Sequence, residues 1–174
     1  MLNTWASAAA AGLVATLYMA FTTARFQPGM LARGLLAGAV ASAALAPMAA
    51  PHSLLIVGAV AGLIACLGSY LVQRAWRLDD PAGIVPSFGF AGLWGLLAVG
   101  LLSDGRFGQG LNGVGLERYL GVAGQGVTGI LPLVEGVVPD FGQFTAQALG
   151  LGVIFVWALG PGWLLFRLAR AGSR

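Results

Sequence analysis

Five long runs of this 174-residue chain contain no charged side chain, and that pattern decides which solvent it folds in. The runs cover about 2–23, 34–50, 54–72, 84–103 and 144–166. About 20 mostly apolar residues in a helix cross roughly 30 Å of hydrocarbon, and each run approaches or exceeds that length. Backbone N–H and C=O groups cannot stay unpaired in lipid, so the runs are predicted to be helices. A membrane β-barrel alternates apolar and polar residues in short strands, whereas these Ala- and Leu-rich runs do not alternate. The predicted class is an all-α membrane protein, a single unit over 1–174 with five transmembrane helices and one long connection, 104–142. Charged residues make up only 9 % of the chain and the mean hydropathy is +0.86. A soluble domain carries roughly 25 % charge, so a soluble enzyme is excluded.

The net charge of +3 does not imply a nucleic-acid partner. All nine basic residues are Arg, and they stand at the ends of apolar runs rather than on one patch. Cys66 is the single cysteine, so no internal disulfide and no thiolate metal cluster can form. His52 is the single histidine, and no cofactor or metal site is predicted. Cys66 reads as a small packing residue and His52 as a solvated residue of a short outer turn.

Arginine placement sets the orientation. Arg25 and Arg33 separate the first two runs, Arg74 and Arg77 the third and fourth, and Arg167, Arg170 and Arg174 follow the fifth. These connections alternate, so they share one side, predicted to be cytoplasmic. The opposite side holds Arg106 and Arg118 with Asp104, Glu117, Glu135 and Asp140. The expected topology is an N-terminus outside and a C-terminus inside, in a bacterial-type inner membrane. The first run lacks a basic n-region and exceeds a signal-peptide core in length, so it is expected to be retained. Trp76 and Trp163 stand near the cytoplasmic boundary, where tryptophan anchors are common, and Trp5 and Trp157 towards the outer half or within the bundle.

Small residues mark where helices can approach closely. Gly58 and Gly62 form G-x-x-x-G in the third run, and Gly89, Gly92 and Gly95 lie along the fourth. They suit packing within the bundle or a face between copies. In the outer segment, 108–113 and 124–129 both spell G-x-G-x-x-G. The strand, helix and acidic residue that a dinucleotide site needs are missing around them, so a local duplication is the better reading. At the entry to the fourth run, Asp80 can N-cap the helix with Pro81 at its first position. Asp79 can pair with Arg74 or Arg77. The runs contain no paired carboxylates, no Ser–His–Asp set and no metal-ligand group, so no enzyme is predicted.

Span by span the chain resembles the C-terminal half of the ammonium transporter (Amt/Rh) family. The match is carried by Arg77-Leu78-Asp79-Asp80-Pro81, followed by Phe88-Gly89-Phe90-Ala91-Gly92-Leu93-Trp94-Gly95. The family reads VDDP, a short gap, then HGVGGIWGTLATGL. Asn3-Thr4 is similar to NTNLATAAAAL, 34–47 to GAISGAVAGLVAITP, 58–68 to GVVAGLAG, and 142–150 to GQLLVQLIG. The resemblance implies the last five helices of an eleven-helix fold of two inverted halves. It also implies a homotrimer with one narrow apolar pore per protomer between the halves.

By the Asp-Asp-Pro spacing, the resemblance places the second of two pore histidines at Phe88 and an apolar pore-lining residue at Ile84. An imidazole can donate, accept and titrate near neutral pH, and a phenylalanine cannot. Phe88 could fill the pore, offer a weak cation–π face, or serve as a packing residue. Ile84 suits a helix- or lipid-facing place as well. Two functions follow as expectations. One is an ammonium/ammonia transporter-like protein that needs a second half, either an N-terminal half or another chain. The other is a non-conducting structural or assembly subunit of a larger membrane complex.

Overall fold

The computed structural model describes residues 1–104, 118–119, 122–123 and 127–172. Helix α1 runs over Leu2–Thr22, α2 over Pro28–Ser42 and α3 over Pro51–Tyr70. α3 continues as a π-helical turn, Leu71–Ala75. A second π-helical stretch, Val85–Phe90, leads into α4, Ala91–Leu102, and α5 covers Gly142–Gly172. Between α4 and α5, β1 (Arg118–Tyr119) and β2 (Val122–Ala123) form a two-residue antiparallel ladder, pairing Arg118 with Ala123 and Tyr119 with Val122. Apart from that ladder the regular secondary structure among the described residues is helical. Of the two glycine repeats in the outer segment, only 127–129 fall among the described residues.

Four helical segments are long and apolar enough to cross a membrane: Leu2–Thr22, Pro51–Ala75, Val85–Leu102 and Gly142–Ala171. The second predicted span, 34–50, differs. Its helix starts earlier, with Pro28 in the first turn, and stops at Ser42 after 15 residues. That is roughly 22 Å of helix. Pro47 explains the stop, because a proline ring clashes with the carbonyl of the residue four back, here Ala43. Residues 43–49 form tight turns instead. Irregular backbone at membrane depth is tolerated where protein covers it. Leu45, Ala49 and Ala50 are fully buried. Asn3 Nδ2 donates to the Ala46 and Ala49 carbonyls at 2.9 and 3.3 Å, closing groups the turn leaves open. The other predicted spans agree in place but not in their ends: α3 begins at Pro51, so His52 is helical rather than in a turn, and α5 runs on to Gly172.

α1, α2 and α3 pack on one another through small side chains. A methyl group at Gly58 would strike the Ser7 carbonyl, and one at Gly62 the Ala11 carbonyl, both on α1. Ser7 Oγ donates to the Gly38 carbonyl of α2 at 2.9 Å. Lipid gives no hydrophobic drive between helices, so such backbone approach supplies the attraction. α4 lies on α2 and α3, with Gly95 against the Ala41 backbone. Ala41, Leu45, Leu54, Val57, Ala61, Ala98 and Leu102 belong to the buried core. Gly89 and Gly92 depart from the packing expectation. Nothing lies within 4 Å of a methyl placed at Gly89, and only Val40, at 3.8 Å, of one at Gly92.

Just beyond α4, Asp104 is fully buried and its carboxylate accepts the Ala50 N–H at 2.8 Å, at the start of α3. The segment at 129–131 closes the last carbonyls of α4, which have no partner within the helix. Ile130 N–H reaches the Gly100 carbonyl at 3.0 Å, and Leu131 N–H reaches Leu101 at 2.7 Å. His52 Nε2 lies 2.9 Å from the Leu133 carbonyl, tying α3 to the same segment. α5 packs chiefly along α4. Its start lies beside Gly100, where a methyl would meet Phe144, so α5 runs antiparallel to α4.

Candidate functional site

The chain leaves α3 at Ala75 and re-enters the bundle at Ile84, and the junction between is built around Asp80. Asp80 Oδ1 accepts the Ile84 N–H and Oδ2 the Val85 N–H, both at 2.9 Å. Asp80 therefore caps the fourth span as expected from its type, but Pro81 is not the first helical residue. Pro81 and Ala82 form a turn, in which Gly83 N–H donates to the Asp80 carbonyl at 3.1 Å and Gly83 takes a φ of +70°. That left-handed φ interrupts the helix, so the proline in the first helical turn is Pro86. A basic group distant in sequence reaches this junction: Arg33 of α2 donates from Nη2 to the Pro81 carbonyl at 2.6 Å. Desolvation raises the Asp80 carboxyl, but the backbone N–H groups of Ile84, Val85 and Gly83 and the charge of Arg33 outweigh it, holding the group below its ordinary value.

The capped helix presents Ile84 and Phe88, four residues apart, on one face. Neither is covered: Ile84 is 59 % and Phe88 50 % exposed. Phe88 lines an open groove of about 430 Å³. Val40 of α2 with Ala43 and Ala44 of the turn after it line one side, Gly92, Leu93, Gly95 and Leu96 of α4 line another, and Ile154 of α5 also lines it. The bare surfaces of Gly89 and Gly92 are part of this groove.

No residue lining the groove can titrate. A bare cation would lose its hydration there without compensation, whereas a small neutral molecule would not. Among the described residues no three His, Cys, Asp or Glu side chains are grouped so as to hold a metal. His52 is in the first turn of α3, on Leu133, and is not brought to Phe88. Cys66 is buried within α3. Trp76 packs edge-on to Phe90 with ring centroids 5.8 Å apart, and Trp94 Nε1 donates to the Val57 carbonyl at 3.1 Å. Trp5 and Trp157 are 75 % and 76 % exposed, so neither stands within the bundle. The sequence reading missed Arg33 and Asp104 as tethers, whose partners are distant in sequence. It also missed Ser87 beside Phe88, a buried hydroxyl without a hydrogen-bond partner among the described residues.

This arrangement defines a polytopic α-helical membrane protein with an apolar, incompletely covered groove on its fourth span. The Ammonium Transporter Family model matches residues 1–171, and the chain belongs to that family. It is 33 % identical over 165 residues to "Ammonium transporter Amt2" of Archaeoglobus fulgidus, covering 94 % of this chain and 31 % of that protein. It is 36 % identical over 112 residues to "Ammonium transporter Amt2" of Methanocaldococcus jannaschii, covering 61 % of this chain and 26 % of that one. Among solved structures a "Sensor Amt Protein" superposes with a TM-score of 0.76 at 27 % identity, over 98 % of this chain and 36 % of that chain. The chain thus spans about a quarter to a third of the length of the relatives it matches.

Proposed function

We propose that this chain forms one wall of an ammonium/ammonia pathway, as the C-terminal half, the last five helices, of an ammonium transporter fold. A second half, on the same or another polypeptide, supplies the facing wall. The observation that carries the reading is the half-exposed Phe88 on an open apolar groove, on the face that Asp80 fixes. Such a groove favours neutral ammonia over the cation. Phe88 cannot carry a proton, so deprotonation falls to groups beyond this wall. Asp79, Asp80 and Pro81 are structural in this reading, and Ile84 lines the passage beside Phe88. The assembly is a homotrimer in the inner membrane, with the N-terminus outside.

The absence of any titratable group around Phe88 favours a second reading, a non-conducting structural subunit that keeps the fold and has lost the pore chemistry. One experiment separates them. A photo-crosslinking residue at Phe88 is expected to join the chain to polypeptide carrying the facing helices. Vesicles holding that assembly are expected to take up methylammonium, and vesicles holding this chain alone are not. Uptake by the chain alone overturns the one-wall reading. An assembly that crosslinks but passes nothing establishes the structural subunit.

A further inference from the structure

Arg33 stands seven residues before Val40 on α2, two turns nearer the helix start on the same face and roughly 10 Å away along the axis. Val40 lines the groove, so Arg33 sits at its foot. Its helix gives it firm ground. The next residue, Gly34, packs so closely on α1 that a methyl there would strike the Ala15 side chain, and one at Gly38 would strike the Ser7 carbonyl. From this base the Arg33 side chain crosses to the fourth span. It lies over the buried Gly83, where a methyl would collide with its Nε and Cδ atoms, and donates to the Pro81 carbonyl at 2.6 Å. Its charge also acts on the Asp80 carboxylate, which accepts the Ile84 and Val85 N–H groups a turn before Phe88. Gly83 thus supplies two things, a positive φ and a bare Cα on which the arginine stem rests.

The contacts that hold residues 83–95 in place differ in kind. Gly95 meets the Ala41 backbone of α2 directly. On α3, Gly68 lies against Pro86 and Phe90, and Trp76 packs edge-on to Phe90. These contacts with α3 are apolar, and apolar attraction is non-directional, so it resists separation more than sliding or turning. Facing the groove, a methyl at Gly89 would meet nothing within 4 Å and one at Gly92 only Val40. Arg33 adds a directional contact, because a hydrogen bond holds distance and angle together.

We propose that Arg33 is a positioning residue that ties the entry of the fourth span to α2 and thereby sets the width of the groove at Phe88. Ala41 against Gly95 is one tie and Arg33 on Pro81 the other, with Phe88 between them. The consequence for permeation rests on the one-wall reading, and the tie itself does not.

The test is spin-label distance measurement on the full chain in lipid vesicles, with Cys66 buried and unlabelled. Leu36→Cys, half-exposed one turn before Val40, and Gly89→Cys, where a side chain meets nothing, report across the groove. Leu13→Cys and Ile56→Cys report across α1 and α3, whose shared cleft they line. The chain with Arg33 intact is expected to give one narrow distance for each pair. Arg33→Ala is expected to raise the population outside the native groove distance roughly fivefold, the worth of one exposed charge-assisted hydrogen bond. The α1–α3 distance is expected to stay as it was. Arg33→Lys keeps a charge and a donor and is expected to restore most of the native population, whereas Arg33→Met keeps only the stem and is not. A groove distance unmoved by Arg33→Ala overturns the proposal, as does Arg33→Met behaving like the native chain. Equal loosening of both pairs makes Arg33 a general stabilising residue and also overturns it. In vesicles holding the assembly with the facing wall, methylammonium uptake is expected to fall with Arg33→Ala and return with Arg33→Lys. Uptake that ignores Arg33→Ala overturns the role assigned to it. An assembly that passes nothing, while the distances shift as stated, sinks the one-wall reading and leaves the tie standing.

Discussion

Asp80 and Phe88 show how far single residues speak for themselves. An aspartate before an apolar run announces a cap, and the two N–H groups it accepts are those of Ile84 and Val85. The missing part of the message is the turn in between, because Gly83 reads as one more small residue until its positive φ is known. Likewise nothing near Arg33 in sequence points to Pro81, 48 positions away. Since the folded Asp80 carboxyl lies below its ordinary value, its stabilising effect is complete above the usual carboxylate range, about pH 4. The effect disappears as pH falls through the lowered value. Asp80→Asn keeps one acceptor oxygen and no charge, and Asp80→Ala keeps neither. Thermal unfolding in detergent at pH 7 is expected to rank native above D80N above D80A. The gap between native and D80N is expected to shrink below about pH 4, and a gap that widens there contradicts the assignment. At Phe88 the inference concerns chemistry. Restoring a titratable ring with Phe88→His does not build the opposite wall, so the isolated chain is expected to gain no methylammonium uptake. Measurable uptake by that variant refutes this.

At the scale of elements, run length was legible in the sequence and close packing only in part. The charge-free runs located every helix, because lipid admits no other use for them. They misplaced α2, since Pro28 and Pro47 set its ends while hydropathy continues through the buried turn at 43–49. Glycine spacing identified the helices that approach others but not which glycines do so. Gly58 and Gly62 face α1 backbone, whereas Gly89 faces open space only a few residues from the closely packed Gly95. The difference follows from facing direction, which the π-helical stretch Val85–Phe90 shifts out of α-helical phase. It yields a paired prediction. Gly58→Leu and Gly62→Leu force α1 and α3 apart, and each is expected to cost about 1–3 kcal/mol or more of stability. Gly89→Ala meets nothing and removes backbone freedom, so it is expected to be neutral or stabilising by up to roughly 1 kcal/mol. Melting temperatures of the three variants in one detergent check this, and equal losses at all three would mean that the α1–α3 contact is not the tight one.

The whole molecule is asymmetric in two directions, and both bear on how it sits in a membrane. Across the bundle, α1, α2 and α3 cover one another while α5 leans chiefly on α4, leaving the Phe88 groove open. Along the bundle, arginines crowd the end that holds Asp80, and the opposite end is tied together by Asp104, the segment at 129–131 and His52. The first asymmetry was not legible in the sequence, because greasy helices read alike whether their neighbours are present or not. The second was, since the arginines fall between charge-free runs or after the last of them. Arginine-rich connections stay in the cytoplasm because moving them across the membrane is costly. The orientation is therefore open to direct test. Cys66 is buried and gives a silent background for labelling. Gln73→Cys lies at the arginine-rich end and Val138→Cys, at a site 80 % exposed, at the other. In intact cells a membrane-impermeant maleimide is expected to label Val138→Cys and to reach Gln73→Cys only after the membrane is opened. The reverse pattern would invert the topology. The orientation thus rests on the charge pattern, while the conduction reading rests separately on what covers Phe88.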